Sequence, residues 1–348
     1  MYKRQPFDVV HANDWPTAIT AKYMKDLGVK TPTMLTIHNV AHQGVFPKDA
    51  LATLGLVPAD FTVGGCEFYG SVNVLKQGII SSDLVTTVSS TYAKEIQTAE
   101  QGYRLDGVLR AKGRILGIVN GVDYGVWNPS TDSNLAARYD AEDASNKARC
   151  KGALRKELGF PMEPDVPIVA SVGRVVTQKG SDLVADLVPR LLRGSDAQVI
   201  IAGAGDENIV TKLTAAAQKS HGRAVYTGAA SEALVHRIFA AADLVLVPSR
   251  FEPCGLVQLY AQRYGALPVA RSTGGLVDTI VDCDAKLETG TGFLFDDATV
   301  DSLYGAVQRA LSAVATPRWG ALRRRVMRLD RGWERAARQY EQAYKSLK

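Results

Sequence analysis

Short, uninterrupted apolar runs alternate along this chain with longer segments in which apolar residues recur every three or four positions. In the first third, FDVVHA, TPTMLTIHN and DLVTTVS predict buried strands, while TAITAKYMKDLG, VNVLKQGIISS and TYAKEIQT predict helices. The rhythm weakens through ILGIVNGVDYGVWNPSTDSN, where Gly, Asn, Pro and Ser crowd together, so this stretch reads as a loop between domains. A second series follows. VPIVASVGR, AQVIIAGAG, RAVYTG, DLVLVPS and LPVARS predict strands, alternating with helices at SDLVADLVPRLLRG, IVTKLTAAAQKS, EALVHRIFAA, LVQLYAQRYG and TVDSLYGAVQRALSAV. Such alternation implies parallel sheets covered by helices on both faces, hence an α/β protein of two doubly wound units.

Composition narrows this picture without changing it. The 348 residues suit about two domains, and 46% hydrophobic against 22% charged residues is the balance of an ordinary globular chain. A net charge of +5 is mild; it suits anionic ligands without specifying nucleic acid. No apolar stretch approaches the roughly 20 residues of a membrane span, and no secretory or transit signal is visible. Cys66, Cys150, Cys254 and Cys283 are widely spaced, which argues against a disulfide framework or structural zinc and sets a reducing cytoplasm as the expected compartment.

Ligands of doubly wound sheets bind beyond the carboxyl ends of the strands, so residues there are the ones to inspect. After PIVASV, Arg174 and Lys179 stand five apart before Gly180 and a helix, a pattern suited to phosphate; a solvated surface loop is the competing reading. After DLVLVPS, Glu252 lies between Pro248 and Pro253, with Gly255 opening a helix, so a carboxylate for sugar hydroxyls would adjoin free helix N–H groups; a simple helix-start carboxylate is the alternative. After LPVARS, Gly274 and Gly275 permit close backbone approach to a diphosphate. GAGDEN begins like a dinucleotide fingerprint, but Asn208 replaces the third glycine, so Gly203 and Gly205 read as a turn. In the first unit His11, Asp14, His38, Asn39 and Asn120 follow strand-like runs, each open to a structural or a functional role.

HANDW, TIHNVAHQG, GIVNGVDYGVWNP, GRVVTQKGSDLV, PSRFEPCGLVQLYAQRYGALPV and TGGLVDT together resemble bacterial glycogen synthases and plant starch synthases, from Pro6 to the last helix. The resemblance implies the GT-B fold, two Rossmann-like domains closing over a nucleotide sugar, with the first incomplete here. It implies residues 1–121 as an acceptor-side domain, 122–329 as a nucleotide-sugar domain and 330–348 as a helix returning to the first. The implied reaction moves glucose from ADP-glucose to the non-reducing end of an α-1,4-glucan such as glycogen, with retention and with no cofactor or metal. By resemblance Arg174 and Lys179 neutralise the leaving diphosphate and Glu252 binds the transferred glucose. Cys254, Gly255 and Leu256 orient sugar and phosphate, Thr273, Gly274 and Gly275 form a second phosphate cradle, and His11 and Asn120 contact the glucose. The resemblance implies front-face attack, with the leaving phosphate taking the acceptor proton, as a favoured proposal for the mechanism.

Departures from the family pattern are specific. Tyr260 stands where many GT-B enzymes carry a second Glu, which glycogen synthases of this type also lack, and Ala229 and Ala230 stand where many bacterial members place an aromatic residue. The preference for ADP over UDP therefore rests on the resemblance alone. The Lys-x-Gly-Gly loop of the family is absent, and MYKRQ back-translates to GTG TAT AAG AGA CAG, which matches a transposon end used in sequencing libraries. An adaptor scar fused to a shortened gene is the expectation, with the natural chain starting near Pro6. The alternative function is thus an inactive fragment that only binds nucleotide through its C-terminal domain. PRWGALRRRVMRLDRGWERAARQ is rich in arginine, but Asp330 and Glu334 interrupt it at helical spacing, which favours a solvated helix face over a nucleic-acid site. A phosphorylase-like reading lacks a pyridoxal-phosphate lysine context.

Overall fold

The computed structural model describes residues 7–347; the MYKRQ segment lies outside the described residues. The chain forms two compact units, one comprising residues up to Asn120 together with those from Glu334 onward, the other Gly121–Trp333.

The first unit holds a four-stranded parallel sheet. Its strands are β1 (Val10–Asn13), β2 (Thr33–Ile37), β6 (Leu84–Thr87) and β7 (Ile115–Gly117), hydrogen-bonded in that order. Between β2 and β6 the chain forms a small antiparallel sheet, β3 (Val45–Phe46), β5 (Ser71–Asn73) and β4 (Glu67–Phe68) in spatial order. The helix Val74–Ser81 follows; Asn73 caps it by accepting from the Lys76 amide. The stretch beginning ILG, which reads as loop in the sequence, supplies the edge strand β7: three residues are too few to display a period. The final helix, Trp333–Lys345, belongs to this unit from Glu334 onward, and its Tyr344 hydroxyl meets His11 Nδ1 at 2.9 Å.

The second unit holds a six-stranded parallel sheet of β8 (Ile168–Val172), β9 (Gln198–Ala202), β10 (Ala224–Tyr226), β11 (Leu244–Val247), β12 (Leu267–Arg271) and β13 (Phe293–Phe295). Its spatial order is β10-β9-β8-β11-β12-β13, which is the doubly wound order with a reversal between β8 and β11. Side chains alternate between two cores, as a strand period of two requires. Val169, Val199, Ile201, Leu244 and Leu246 face the helices Ser181–Gly194, Glu207–Gln218 and Val300–Val314. Ile168, Ala170, Ile200, Val245 and Val247 face Lys147–Leu158 and Glu232–Ala241. Each fully buried Leu, Ile or Val contributes roughly 1.5–3 kcal/mol of hydrophobic stabilisation, so both faces of the central strands are fixed by packing.

The irregular segment after Gly121 is strapped to this unit rather than free. Trp127 stacks between His236 (ring centroids 3.9 Å apart) and Tyr260 (4.0 Å). Asp132 accepts from the Tyr264 hydroxyl at 2.6 Å and pairs with His236 Nδ1 at 2.6 Å. Burial alone would raise the Asp132 carboxyl, but the hydrogen bonds from Tyr264, Asn134 and His236 outweigh it and hold it below its ordinary value. The arginine-rich stretch differs from a plain solvated face. Arg325 donates to the carbonyls of Leu287, Glu288, Thr289 and Gly290, Arg328 pairs with Glu142, and Arg331 donates to the Thr279 carbonyl. Much of its positive charge is thereby committed within the chain.

Lys147 is buried, and its ammonium donates to the carbonyls of Phe239 (3.1 Å), Ala240 (3.0 Å) and Tyr264 (2.9 Å), where two helices end. Burial lowers its pKa well below the ordinary lysine value, while the helix C-termini favour the cation. Lys147→Met is expected to cost about 1.5–3 kcal/mol, the value of a charge-assisted hydrogen bond, because three carbonyls lose their donor. Urea unfolding of the two proteins measures this, and equal midpoints would contradict it.

Candidate active site

Adjacent strands diverge in their connections at the reversal between β8 and β11, and the loops that follow them must meet there. Gly180 closes the loop after β8 with φ +68, and a Cβ on it would stand 2.1 Å from the Pro248 carbonyl oxygen of the loop after β11. Only a residue without a side chain satisfies both the left-handed backbone and this contact. The seam is reinforced by the Arg250 amide donating to the Gln178 carbonyl at 2.8 Å and by a two-pronged ion pair from the Arg250 guanidinium to Asp182 at 2.8 and 2.7 Å. Burial would raise the Asp182 carboxyl, but Arg250 holds it below its ordinary value.

With the loops so joined, Lys179 Nζ meets Glu252 Oε2 at 2.6 Å, and the Ser249 hydroxyl donates to the same oxygen at 2.9 Å. The Glu252 side chain is only 6% exposed while that of Lys179 is 29% exposed, so the pair spans the boundary between the core and a pocket. Arg174, Lys179, Ser181, Ser249 and Glu252 line that pocket together with the ends of β8, β9 and β11. Arg174 is exposed, and its guanidinium has a long contact, 3.5 Å, to Gln178.

The remaining predicted residues of this unit join the same rim. The Gly275 amide donates to the Glu252 carbonyl at 2.9 Å, and a Cβ on Gly275 would stand 2.2 Å from the Cys254 carbonyl oxygen. Residues 252–256 and 273–275 therefore lie backbone against backbone. Cys254 and Thr273 are buried, Gly255 turns with φ +74, and Leu256 is partly exposed. Buried Gln258 donates to the carbonyls of Cys254 and Gly255 and to the Thr279 hydroxyl, which ties the two segments from beneath. Gly203 and Gly205 pack against the backbone at Gly173 and Val175, which is a turn role.

His11 and Asn120 belong to the first unit. Asn120 is half-buried, three residues beyond β7. His11 lies on β1, with Nε2 2.6 Å from the Thr36 hydroxyl and Nδ1 2.9 Å from the Tyr344 hydroxyl, so both ring nitrogens are engaged inside the unit. At the end of β1, exposed Asn13 has its Oδ1 3.0 Å from His38 Nε2. Asp14, with φ +54, accepts from the His38 amide at 2.7 Å and orients that turn. Ser249 and Asn13 escaped the sequence reading, although their positions just beyond or at the end of apolar runs were the available signal.

Burial, helped by the neighbouring His38, lowers the His11 pKa from its ordinary 6.5. Above the unfolded value His11 is neutral in both states and this contribution to stability is complete. As pH falls through 6.5 towards the lower folded value, the unfolded chain takes up a proton that the fold resists, and stability is lost. His11→Gln, which keeps polar contacts but cannot titrate, is expected to lose less stability between about pH 7.5 and about pH 5.5 than the parent. Denaturant midpoints at the two pH values check this; identical losses would refute it.

Comparisons with known proteins identify the family. A family model described as "Starch synthase catalytic domain" matches residues 1–111, and one described as "Glycosyl transferases group 1" matches residues 153–345. A glycogen synthase of Anaeromyxobacter sp. is 45% identical over 97% of this chain and 73% of its own length. Glycogen synthase 2 of Geobacter sulfurreducens is 42% identical over 99% of this chain and 73% of its own. Among solved structures, the catalytic domain of starch synthase IV from Arabidopsis thaliana, bound to ADP and acarbose, superposes with a TM-score of 0.92 at 36% identity, covering 98% of this chain and 73% of that one. Anabaena HepE in complex with UDP, at 16% identity and a TM-score of 0.64, shares the fold. By these relatives and this fold, the chain belongs to the glycogen and starch synthase family of GT-B glycosyltransferases.

Proposed function

We propose that this chain transfers glucose from ADP-glucose to the non-reducing end of an α-1,4-glucan with retention of configuration. In this reading the unit Gly121–Trp333 holds the donor and the other unit serves the acceptor. The observation that carries the proposal is the Lys179–Glu252 pair beside Arg174 at the strand-order reversal. The solved starch synthase with ADP and acarbose supports it, being 36% identical over nearly all of this chain.

Breaking a glycosyl–phosphate bond builds negative charge on the departing diphosphate and positive charge on the sugar ring. Arg174 and Lys179 face the first; a unit charge about 4 Å away in a medium of effective dielectric about 20 is worth about 4 kcal/mol. Glu252 faces the second. Among the described residues both of its donors, Lys179 and Ser249, fall on Oε2, so Oε1 is the oxygen for a glucose hydroxyl. A carboxylate tied this way positions the sugar and is a poor nucleophile, which favours front-face attack with the leaving phosphate accepting the proton of the incoming hydroxyl. The loop of Thr273, Gly274 and Gly275 completes the phosphate cradle, held in place by the Gly275 amide on the Glu252 carbonyl, and Cys254, Gly255 and Leu256 border the sugar. For the first unit, Asn120 and His11 are the proposed glucose contacts, with the His11 ring oriented by Thr36 and Tyr344.

Initial rates with ADP-glucose and UDP-glucose on glycogen test the reading. ADP-glucose is expected to be the better donor, with new linkages in the α configuration. Lys179→Ala is expected to lower kcat about 10²–10³-fold, the usual effect of removing one donor to developing charge. ADP binding without any transfer by the parent chain would sink the proposal and leave a nucleotide-binding protein in its place.

A further inference from the structure

An open pocket of about 370 Å³ in the first unit is formed by the helix Val74–Ser81, the helix Asp106–Lys112 and the loop before β4. Its lining is apolar: Val63 comes from the loop, Ile79 and Ile80 from the first helix, Val108 and Ala111 from the second. Lys112, the last residue of the second helix, is the charged side chain among them. Small-molecule sites span about 300–1,000 Å³, so a pocket of this size suits one small ligand. Val63 is 82% exposed, which leaves an apolar side chain at the pocket without cover from the chain itself.

The width of the pocket is not forced by the backbone. Gly64 and Gly107 both line it, and neither has the left-handed φ that calls for glycine. A Cβ on Gly64 would meet nothing within 4 Å, and one on Gly107 only Arg110 Nη2 at 3.9 Å. Glycine is disfavoured inside a helix, so side chains that would narrow the space are permitted there by both backbone and packing. The wall carrying Val63 and Gly64 is fixed by buried Lys76, whose ammonium donates to the Val63 carbonyl at 2.7 Å. Lys112 is half-buried, and one of its three N–H groups goes to the Ser82 carbonyl at the end of the helix Val74–Ser81. Burial and the neighbouring Lys25 hold its pKa below the ordinary lysine value, against a weaker pull from Asp83. The Asp83 carboxylate is itself committed to the amide and hydroxyl of Thr33, at 2.7 and 2.8 Å.

We propose that this pocket binds a small aliphatic carboxylate, with a chain of about eight carbons on Val63, Ile79, Ile80 and Val108 and the carboxylate on the Lys112 ammonium. The site belongs to the first unit alone and goes beyond glucosyl transfer. An uncharged apolar ligand would bury Lys112 further without a counter-charge. A small anion without a tail would leave the apolar lining in water. An amphipathic carboxylate answers both, and the two remaining N–H groups of Lys112 are its donors.

Isothermal titration of the full chain with sodium octanoate reads this directly. Octanoate is expected to bind saturably, one per chain, and hexanoate about tenfold more weakly for the loss of two methylenes. 1-Octanol, which has the tail without the charge, is expected to bind about tenfold more weakly than octanoate. Lys112→Gln is expected to bring octanoate down to the level of octanol and to leave octanol unchanged. Gly107→Leu is expected to abolish octanoate binding while raising Tm by about 1–2 °C, since it replaces a helical glycine. Gly64→Leu, on the other wall, is expected to block the site without touching that helix. Lys179→Ala, in the donor pocket, is expected to bind octanoate as the parent does. No saturable binding by the parent, or parent-like affinity in both glycine variants, overturns the site. Equal affinities for octanoate and octanol, or an unchanged preference for octanoate in Lys112→Gln, overturn the carboxylate assignment. Loss of octanoate binding in Lys179→Ala places the ligand in the donor pocket and likewise overturns the proposal, whereas failure of glucosyl transfer by the parent overturns the proposed function and leaves this site standing.

Discussion

The contact between Gly180 and the Pro248 carbonyl governs the candidate site. The doubly wound order makes β8 and β11 neighbours whose connecting segments leave in opposite directions, so the loops at their carboxyl ends come together with no intervening element. Any Cβ at position 180 would push the Pro248 backbone away. Lys179 precedes that glycine and Glu252 lies four residues beyond that proline, so their 2.6 Å ion pair is a direct consequence of the backbone contact. The Arg250–Asp182 pair and the Gln178 carbonyl lock the same seam from its outer side. A second backbone contact, Gly275 against Cys254, extends the rim to β12 by the same device.

This arrangement explains how a charged pair survives at the edge of a core. Glu252 is nearly buried, and an isolated buried carboxylate would be costly. Lys179 and Ser249 together satisfy it, and the half-exposed lysine keeps part of its charge toward the pocket. Breaking such a pair is worse than never having it, since the remaining charge is left uncompensated. The site and the stability of its loops are thus coupled, and the alternating cores on either side of the sheet provide the rigid frame that sustains the coupling.

The first unit follows another economy. Its parallel sheet is short, and its rim is shaped by local strain: Asp14 turns the chain after β1, and Tyr69, Tyr103 and Arg104 project polar and aromatic groups outward. Each strained residue is anchored by a nearby hydrogen bond or ring contact, from the His38 amide to Asp14, from Gln43 to the Tyr103 carbonyl, and between Arg104 and Tyr69. His11, the residue of the HANDW motif with the most recognisable chemistry, is held between Thr36 and Tyr344, while exposed Asn13 meets His38.

Long apolar runs and well-spaced helices were legible in the sequence because burial on both sheet faces imposes a period that composition reveals. The helices Ser181–Gly194 and Glu232–Ala241 match their sequence segments end to end, and the strand-end position of Arg174, Lys179, Glu252 and Gly274 followed from the alternation alone. Elements of two or three residues, such as β3, β4, β7 and β13, left no such trace. Nor did the polar helix Lys147–Leu158, whose assignment depends on a buried lysine meeting carbonyls some ninety to one hundred and twenty residues away. The sequence determined which residues stand at strand ends, since that needs only local periodicity. Which of them touch was decided by the tertiary structure, because strand order, backbone contact at glycine and the competition of His11, Thr36 and Tyr344 for one another are all long-range.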